Sequence, residues 1–185
     1  MSTTDSPART SRTATVDPAH STAAFVVRHM MISKVRGHFT NVSGTIELPA
    51  EGQLPISVTA SIDAASVDTR DAQRDGHLKS ADFFDVAVYP TLTFRSNRIE
   101  GTEAAFRIIG DLTIHGVTRE VAFEATFEGA GRDPWGNERL GYEAFATIDR
   151  SDFGLTFNHT LETGGVMVSD QVRLELTVEA LPNAG

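Results

Sequence analysis

Three side chains that can act on a ligand lie close together in the chain: His29, Arg36 and His38. An imidazole beside a guanidinium can hold an anionic or carbonyl group by charge-assisted hydrogen bonds, and a histidine that titrates near neutrality can also move a proton. The group assembles only if the connection between His29 and Arg36 folds at the mouth of a sheet. Otherwise Arg36 and His38 belong to an ordinary polar hairpin and His29 is a core histidine satisfied by backbone. Met30 and Met31 occupy that connection and suit a pliable gate, although packing is the default role of methionine. Asp149, Arg150 and Asn158 bracket RSDFGLTFN, where Arg150 is expected to pair with Asp149 or Asp152. His20, His77 and His159 lack the spacing of a metal triad, and no nucleophile–base pair emerges, so no catalytic or metal-binding residue is assigned. Asp152-Phe153-Gly154 matches a kinase metal-binding triplet without the Gly-rich loop, strand lysine or catalytic-loop signature that a kinase needs. Asn41-Val42-Ser43 and Asn158-His159-Thr160 are glycosylation sequons only in a secreted chain.

The elements that must position these residues are short segments alternating apolar and polar with period two, separated by Gly, Pro, Asn and Asp. Strands are predicted over 13–17, 21–29, 36–48, 54–64, 87–97, 104–114, 117–128, 139–151 and 171–181. Too few helical segments intervene to build crossovers, which argues for an antiparallel barrel or sandwich. In GDLTIHGVTREV a two-residue turn at His115-Gly116 fixes the register. It sets Phe106 opposite Ala125, Ile108 opposite Phe123, Leu112 opposite Arg119 and Ile114 opposite Val117. The same register places Asp111 against Glu120, a like-charge pair with no sequence-level explanation. Arg119 is expected at the rim beside the turn, and Trp135 is expected to pack locally. A helix is predicted over 68–79, capped by Asp68 or Thr69, with Leu78, Phe83 and Phe84 holding it against one end of the sheet.

Period two also selects the inward wall. Ala23, Phe25, Val27 and His29 share a face, as do Val172, Leu174, Leu176 and Val178, and Ile56, Val58, Ala60 and Ile62. Tyr89, Leu92 and Phe94 share one if Pro90 sits at a bend. The candidate lining is Phe25, Val27, Phe39, Ile46, Val58, Ile62, Leu92, Phe94, Phe106, Ile108, Leu112, Phe123, Leu174 and Leu176, with His29, Met31, Arg36 and His38 at the mouth. Small residues such as Ala23, Ala60, Ala125 and Ala144 alternate with Phe and Ile on these faces. That pattern suits either a cavity or a solid core in a tapering barrel.

The chain has 185 residues, 40% of them apolar and 22% charged, enough for one core. Sixteen basic against twenty-five acidic residues give a net charge of −9 that opposes nucleic-acid binding. There is no cysteine for a disulfide framework or thiol nucleophile. The first residues lack the apolar segment of a secretory signal, and no stretch approaches the roughly 18 apolar residues of a membrane span. A cytoplasmic protein is expected, with a disordered tail over 1–12 and a single barrel over 13–182.

VDPAHSTAAFVVRHMMISKVRGHF, DTRDAQRDGHLKSADFFD, YPTLTF, GDLTIHGVTREV, RDPWGN, RSDFGL and NHTLETGGVMVSDQV follow one another in the order of the blocks of the YceI-like family, which the chain resembles over about 13–181. The resemblance implies an all-β fold: a lipocalin-like, eight-stranded antiparallel barrel with one or two short helices and an internal apolar tunnel. It further implies a non-enzymatic role in binding, storing or carrying a polyisoprenoid, either a polyprenyl pyrophosphate or a polyprenyl quinone. That lipid would be the bound ligand, no other cofactor is expected, and a homodimer is implied. Each five-carbon isoprene unit buried in an apolar tunnel contributes on the order of 3–4 kcal/mol before ordering costs. Two alternatives come from other classes: a reaction chamber with His29 as acid or base, and an interaction module using an outer barrel face.

Overall fold

In the computed structural model, which describes residues 11–183, His115 and Gly116 have φ of 54° and 70°. This is the left-handed pair that a two-residue hairpin turn requires, and Gly116 also lies too close to the Tyr89 ring to carry a side chain. Every pairing expected around the turn is present, from Phe106 with Ala125 to Ile114 with Val117. The Asp111–Glu120 pair is relieved from the next strand, where a bulge between Ser96 and Arg98 brings both donors within reach. Asn97 Nδ2 donates to Asp111 at 3.3 Å, and Arg98 pairs with Glu120 at 3.7 Å.

Eleven strands and one helix follow in chain order. They are β1 (Ser11–Val16), β2 (Thr22–His29), β3 (Ser33–Phe39), β4 (Val42–Pro49), β5 (Ser57–Asp63), β6 (Val67–Asp68), α1 (Ala72–Lys79), β7 (Thr91–Thr102), β8 (Ala105–Ile114), β9 (Val117–Arg132), β10 (Glu138–Asp149) and β11 (Gln171–Pro182). All the strand pairs are antiparallel. β1 and β2 pair in succession with one edge of β11, at Ala180–Pro182 and Arg173–Thr177, so together they act as one bent strand. β3 and β4 do the same on the next position. The result is a closed eight-position barrel with α1 at one end, the lipocalin-type architecture that the family resemblance implied.

Several boundaries differ from expectation. The predicted strand 36–48 is interrupted at Thr40-Asn41, and the break lets Phe39, Val42 and Ile46 all face inward although their spacing does not fit one unbroken strand. Ile56 lies outside β5 and is half exposed. β7 begins only after Pro90, so Tyr89 leaves the wall and stacks on His115 at 4.8 Å. The helix is capped by Asp71, whose carboxylate accepts from the Arg74 amide, while Thr69 is buried and donates its hydroxyl to Asp75 at 2.6 Å. Of the expected tail, residues 1–10 lie outside the described residues, and Ser11 and Arg12 pair with β4.

Two apolar clusters fill the barrel ends. One packs Phe25, Phe39, Leu112, Phe153 and Leu155 beneath α1, with Leu78 and Phe84 against it as expected. The other packs Ala14, Leu48, Leu140, Tyr142 and Ala180. Burial pushes the Tyr142 hydroxyl up to about 12, and that hydroxyl donates to the Gln53 carbonyl at 2.8 Å. Outside this end, Arg139 donates to Asp17 at 2.6 Å, Glu179 at 2.7 Å and Asp133 at 3.2 Å. Asp17, His20 and Glu179 are near enough to share a metal ion, but Arg139 already bridges two of them. Its guanidinium, helped by the His20 ring, holds Asp17 at about 2.

Candidate functional site

Two cavities lie end to end inside the barrel. The first, of about 150 Å³, is enclosed by every strand except the two-residue β6. The second, of about 190 Å³, lies between β2, β11 and the α1 end. Phe25, Phe39, Leu92, Ile114 and Leu174 line both, so they form the waist of one tunnel. All fourteen wall positions read from the sequence line one cavity or both. Ala23, Ala60, Ala125 and Ala144 line the first, where their short side chains leave its space. Gly37 contributes to the waist by its lack of a side chain, since a Cβ there would stand 2.3 Å from the Phe25 ring. The open volume and near-absence of polar wall atoms match an apolar ligand chain better than water, which needs polar partners.

The polar groups gather at the second cavity. His29 lines it, at the end of the Ala23–Phe25–Val27 face. Arg36 and His38 do not join it: they alternate with Val35, Gly37 and Phe39 and therefore point out of the barrel. Outside, Arg36 pairs with Glu175 at 2.5 Å, and His38 lies 3.9 Å from Asp68. Arg36 and, less strongly, Arg173 keep the Glu175 carboxyl below its usual range. Met31 is 54% exposed at the β2–β3 turn and lies against Gly165. The grouping of His29 with Arg36 and His38 is thus replaced by another set in which Thr69, Arg74, His77 and Met167 also line the cavity. These come from α1, the residue after β6 and the segment leading to β11. Only their long-range contacts reveal them, and no local pattern marks them.

Arg150 is the main charged group here, and only 4% of it is exposed. The expected pairing with Asp149 or Asp152 is not what holds it. Asp149 instead caps the turn after β10 through the Ser151 amide and hydroxyl. The Arg150 guanidinium donates to the carbonyls of Leu155 at 2.6 Å, Phe157 at 2.9 Å, Ser169 at 3.0 Å and Val168 at 3.4 Å, and pairs with Asp170 at 3.4 Å. Burial lowers its affinity for the proton, and the Asp170 and Asp149 charges oppose that shift. Four of its five N–H groups therefore bond main-chain carbonyls while Nη2 also faces Asp170, and the residue fastens the 154–170 segment over the cavity. Asn158 adds two bonds, donating to the Val168 carbonyl at 2.8 Å and accepting from its amide at 3.1 Å. His77 gives an edge to Phe83 and Phe157 at 5.1 and 4.8 Å and bonds Asp82 at 2.8 Å. Arg119 is exposed beside its turn, as expected, whereas Trp135 is 81% exposed and does not pack.

A closed antiparallel barrel with an apolar tunnel, a polar cluster at one end and a helix over that end defines a lipocalin-type barrel. The chain matches the YceI-like domain over residues 15–180 and belongs to the YceI-like family. A UPF0312 protein of Staphylococcus aureus strain N315 is 37% identical to it, over 89% of this chain and 95% of the relative. Among solved structures, Burkholderia cenocepacia BcnA superposes with a TM-score of 0.75 at 26% identity, covering 89% of this chain and 98% of BcnA. The Campylobacter jejuni YCEI protein does so with a TM-score of 0.71 at 30% identity, covering 85% and 90%. A Saccharophagus degradans domain described as polyisoprenoid-binding shares the fold at 16% identity, with a TM-score of 0.64 over 94% of this chain and all of that one. No helix among the described residues is long and apolar enough to cross a membrane.

Proposed function

We propose that the barrel binds one long-chain amphiphile, with its tail threaded through the tunnel and its head at the α1 end, and that it stores or carries this ligand without transforming it. The observation that carries this reading is the continuity of two apolar cavities through the Phe25–Phe39–Leu92–Ile114–Leu174 waist. A polyisoprenoid suits such a space because its repeating units gain affinity from burial along the whole length. Of the two heads considered, the geometry favours a neutral carbonyl head such as a quinone over a pyrophosphate. Arg150 spends four N–H groups on main-chain carbonyls and pairs with Asp170, Arg36 and His38 are paired outside, and the whole chain carries −9. That leaves His29 and the Nη1 of Arg74 as hydrogen-bond donors for a carbonyl, the Nε and Nη2 of Arg74 already bonding Thr69. The reaction-chamber alternative called for His29 beside a carboxylate. The histidines that do meet carboxylates are His20 with Asp17, His38 with Asp68 and His77 with Asp82.

Native mass spectrometry and solvent extraction of gently purified protein test the reading. A neutral polyprenyl lipid at up to one per chain is expected. Recovery of protein without any lipid, and no uptake of added polyprenyl quinone, would reject it. A homodimer is part of the same proposal, and sedimentation analysis checks it.

A further inference from the structure

The β2–β3 hairpin ends in three apolar residues that the barrel leaves uncovered: Met30, Met31 and Ile32 are 43%, 54% and 81% exposed. Met30 and Met31 have φ of 51° and 64°, a region where Asn, Asp or Gly would serve the turn with less strain. Turn geometry therefore does not account for large apolar side chains at these positions. Directly behind the tip, Arg28 stands opposite Lys34 across the pair, and both are exposed. Like charges facing one another weaken a hairpin, and neither has an ion-pair partner among the described residues. Arg36 and Arg173 continue the same outer face, on either side of Val26, and share the single acid Glu175. Of the acids on the adjoining segment, Asp170 is engaged by Arg150 and Glu162 lies in the 159–166 loop. An acidic protein thus places two unpaired cations directly behind one exposed apolar tip, with two more sharing one acid further along the same face.

The tip is also continuous with the tunnel mouth. His29 lines the second cavity, and the Met30 amide donates at 2.7 Å to the carbonyl of Met167, itself a lining residue. We propose that this hairpin is a docking surface for a lipid bilayer that contains anionic lipids. Met30, Met31 and Ile32 enter the headgroup boundary while Arg28 and Lys34 meet the phosphates, which sets the tunnel mouth against the membrane. The inference rests on the amphiphile-binding reading for its purpose, but charge complementarity and the apolar tip carry it independently.

Flotation of the whole protein with vesicles of phosphatidylcholine alone, or of phosphatidylcholine with phosphatidylglycerol, provides the test. Binding to the anionic vesicles only, falling as salt rises, is expected. Arg28→Gln with Lys34→Gln should weaken it about five-fold for each cation removed, the equivalent of about 1 kcal/mol apiece. Ile32→Ser should weaken it without altering the salt dependence. All three positions are exposed, and circular dichroism verifies that the variants fold. Wild-type protein that carries lipid yet stays off anionic vesicles overturns the docking and leaves the amphiphile reading standing. Lipid-free protein that still floats does the reverse. Self-association through the tip, or a protein partner that it captures in place of vesicles, also overturns it.

Discussion

Replacing Gly37 with Ala tests the tunnel at its waist. The new Cβ would stand 2.3 Å from Phe25 Cζ and 2.8 and 2.9 Å from the two Cε atoms, well inside any real contact. The phenyl ring must therefore move by about 1 Å or more to restore ordinary van der Waals separation. Strand β3 lies on one side of it and the tunnel on the other, so the ring moves into the space that joins the two cavities. In the ligand-free protein the cost should stay near the low end of the about 1–3 kcal/mol typical of overpacking, because the ring enters a void. The ligand suffers far more. At about 24 cal/mol per Å³, losing access to the first cavity of about 150 Å³, which lies beyond the waist from the head, removes on the order of 3–4 kcal/mol, or roughly 2–3 orders of magnitude in affinity. Displacement assays with polyprenyl quinones of increasing length, beside thermal melts of stripped protein, read the two effects separately. Affinity should stop rising at a shorter chain in Gly37→Ala while the melting temperature moves by a few degrees only. An unchanged length preference with a folded variant would refute the single-tunnel reasoning.

Two further outcomes follow from the polar groups. Arg150→Met strips donors from the Leu155, Phe157, Val168 and Ser169 carbonyls at once; a loss of about 3–5 kcal/mol and fast amide exchange confined first to 154–170 are expected, and unchanged exchange there would contradict the fastening role. The second outcome concerns acid. Asp17 is depressed to about 2 chiefly by Arg139, so its stabilising pair is complete above the ordinary carboxylate value near 3.8 and is lost as pH falls from there toward 2. Asp133 is likewise held at about 2, chiefly by Asn137 and further by Arg139. Melting temperature should drop through that window, and Arg139→Gln should flatten the drop; an equal slope in both proteins would show that the network does not set acid stability.

Much of the wall could be read from the sequence because strand periodicity is an intrinsic rule of two. Once His115-Gly116 is a two-residue turn, the register from Phe106 to Ala125 has no freedom. The same rule held the answer for the mouth. Phe39 faces inward, so Arg36 and His38, at odd and unit spacing from it, must face out; only the supposed folding of the connection set that aside. The break at Thr40-Asn41 is harder to see, since no glycine or proline marks it. Arg150 could not be assigned its partners locally either, because its acceptors are main-chain carbonyls whose positions depend on the path of 154–170. Thr69, Arg74 and Met167 reach the tunnel for the same reason, through packing between segments distant in sequence.

The seam of the ring lies between its first and last strands. Among the described residues, β1 meets β11 at three residue pairs, Ala14 with Pro182, Thr15 with Leu181 and Val16 with Ala180, and Thr15 Oγ1 reaches Asn183 Oδ1 across 168 residues of chain. On the ribosome, where N-terminal segments emerge first, the sheet can grow strand by strand but cannot close until β11 has been made. A nascent chain is therefore an open trough with two bare edges and an apolar floor, the form most exposed to edge-to-edge association. Only once β11 has paired with β1 and β2 does it become a container, so a ligand is enclosed at or after that pairing and not before it.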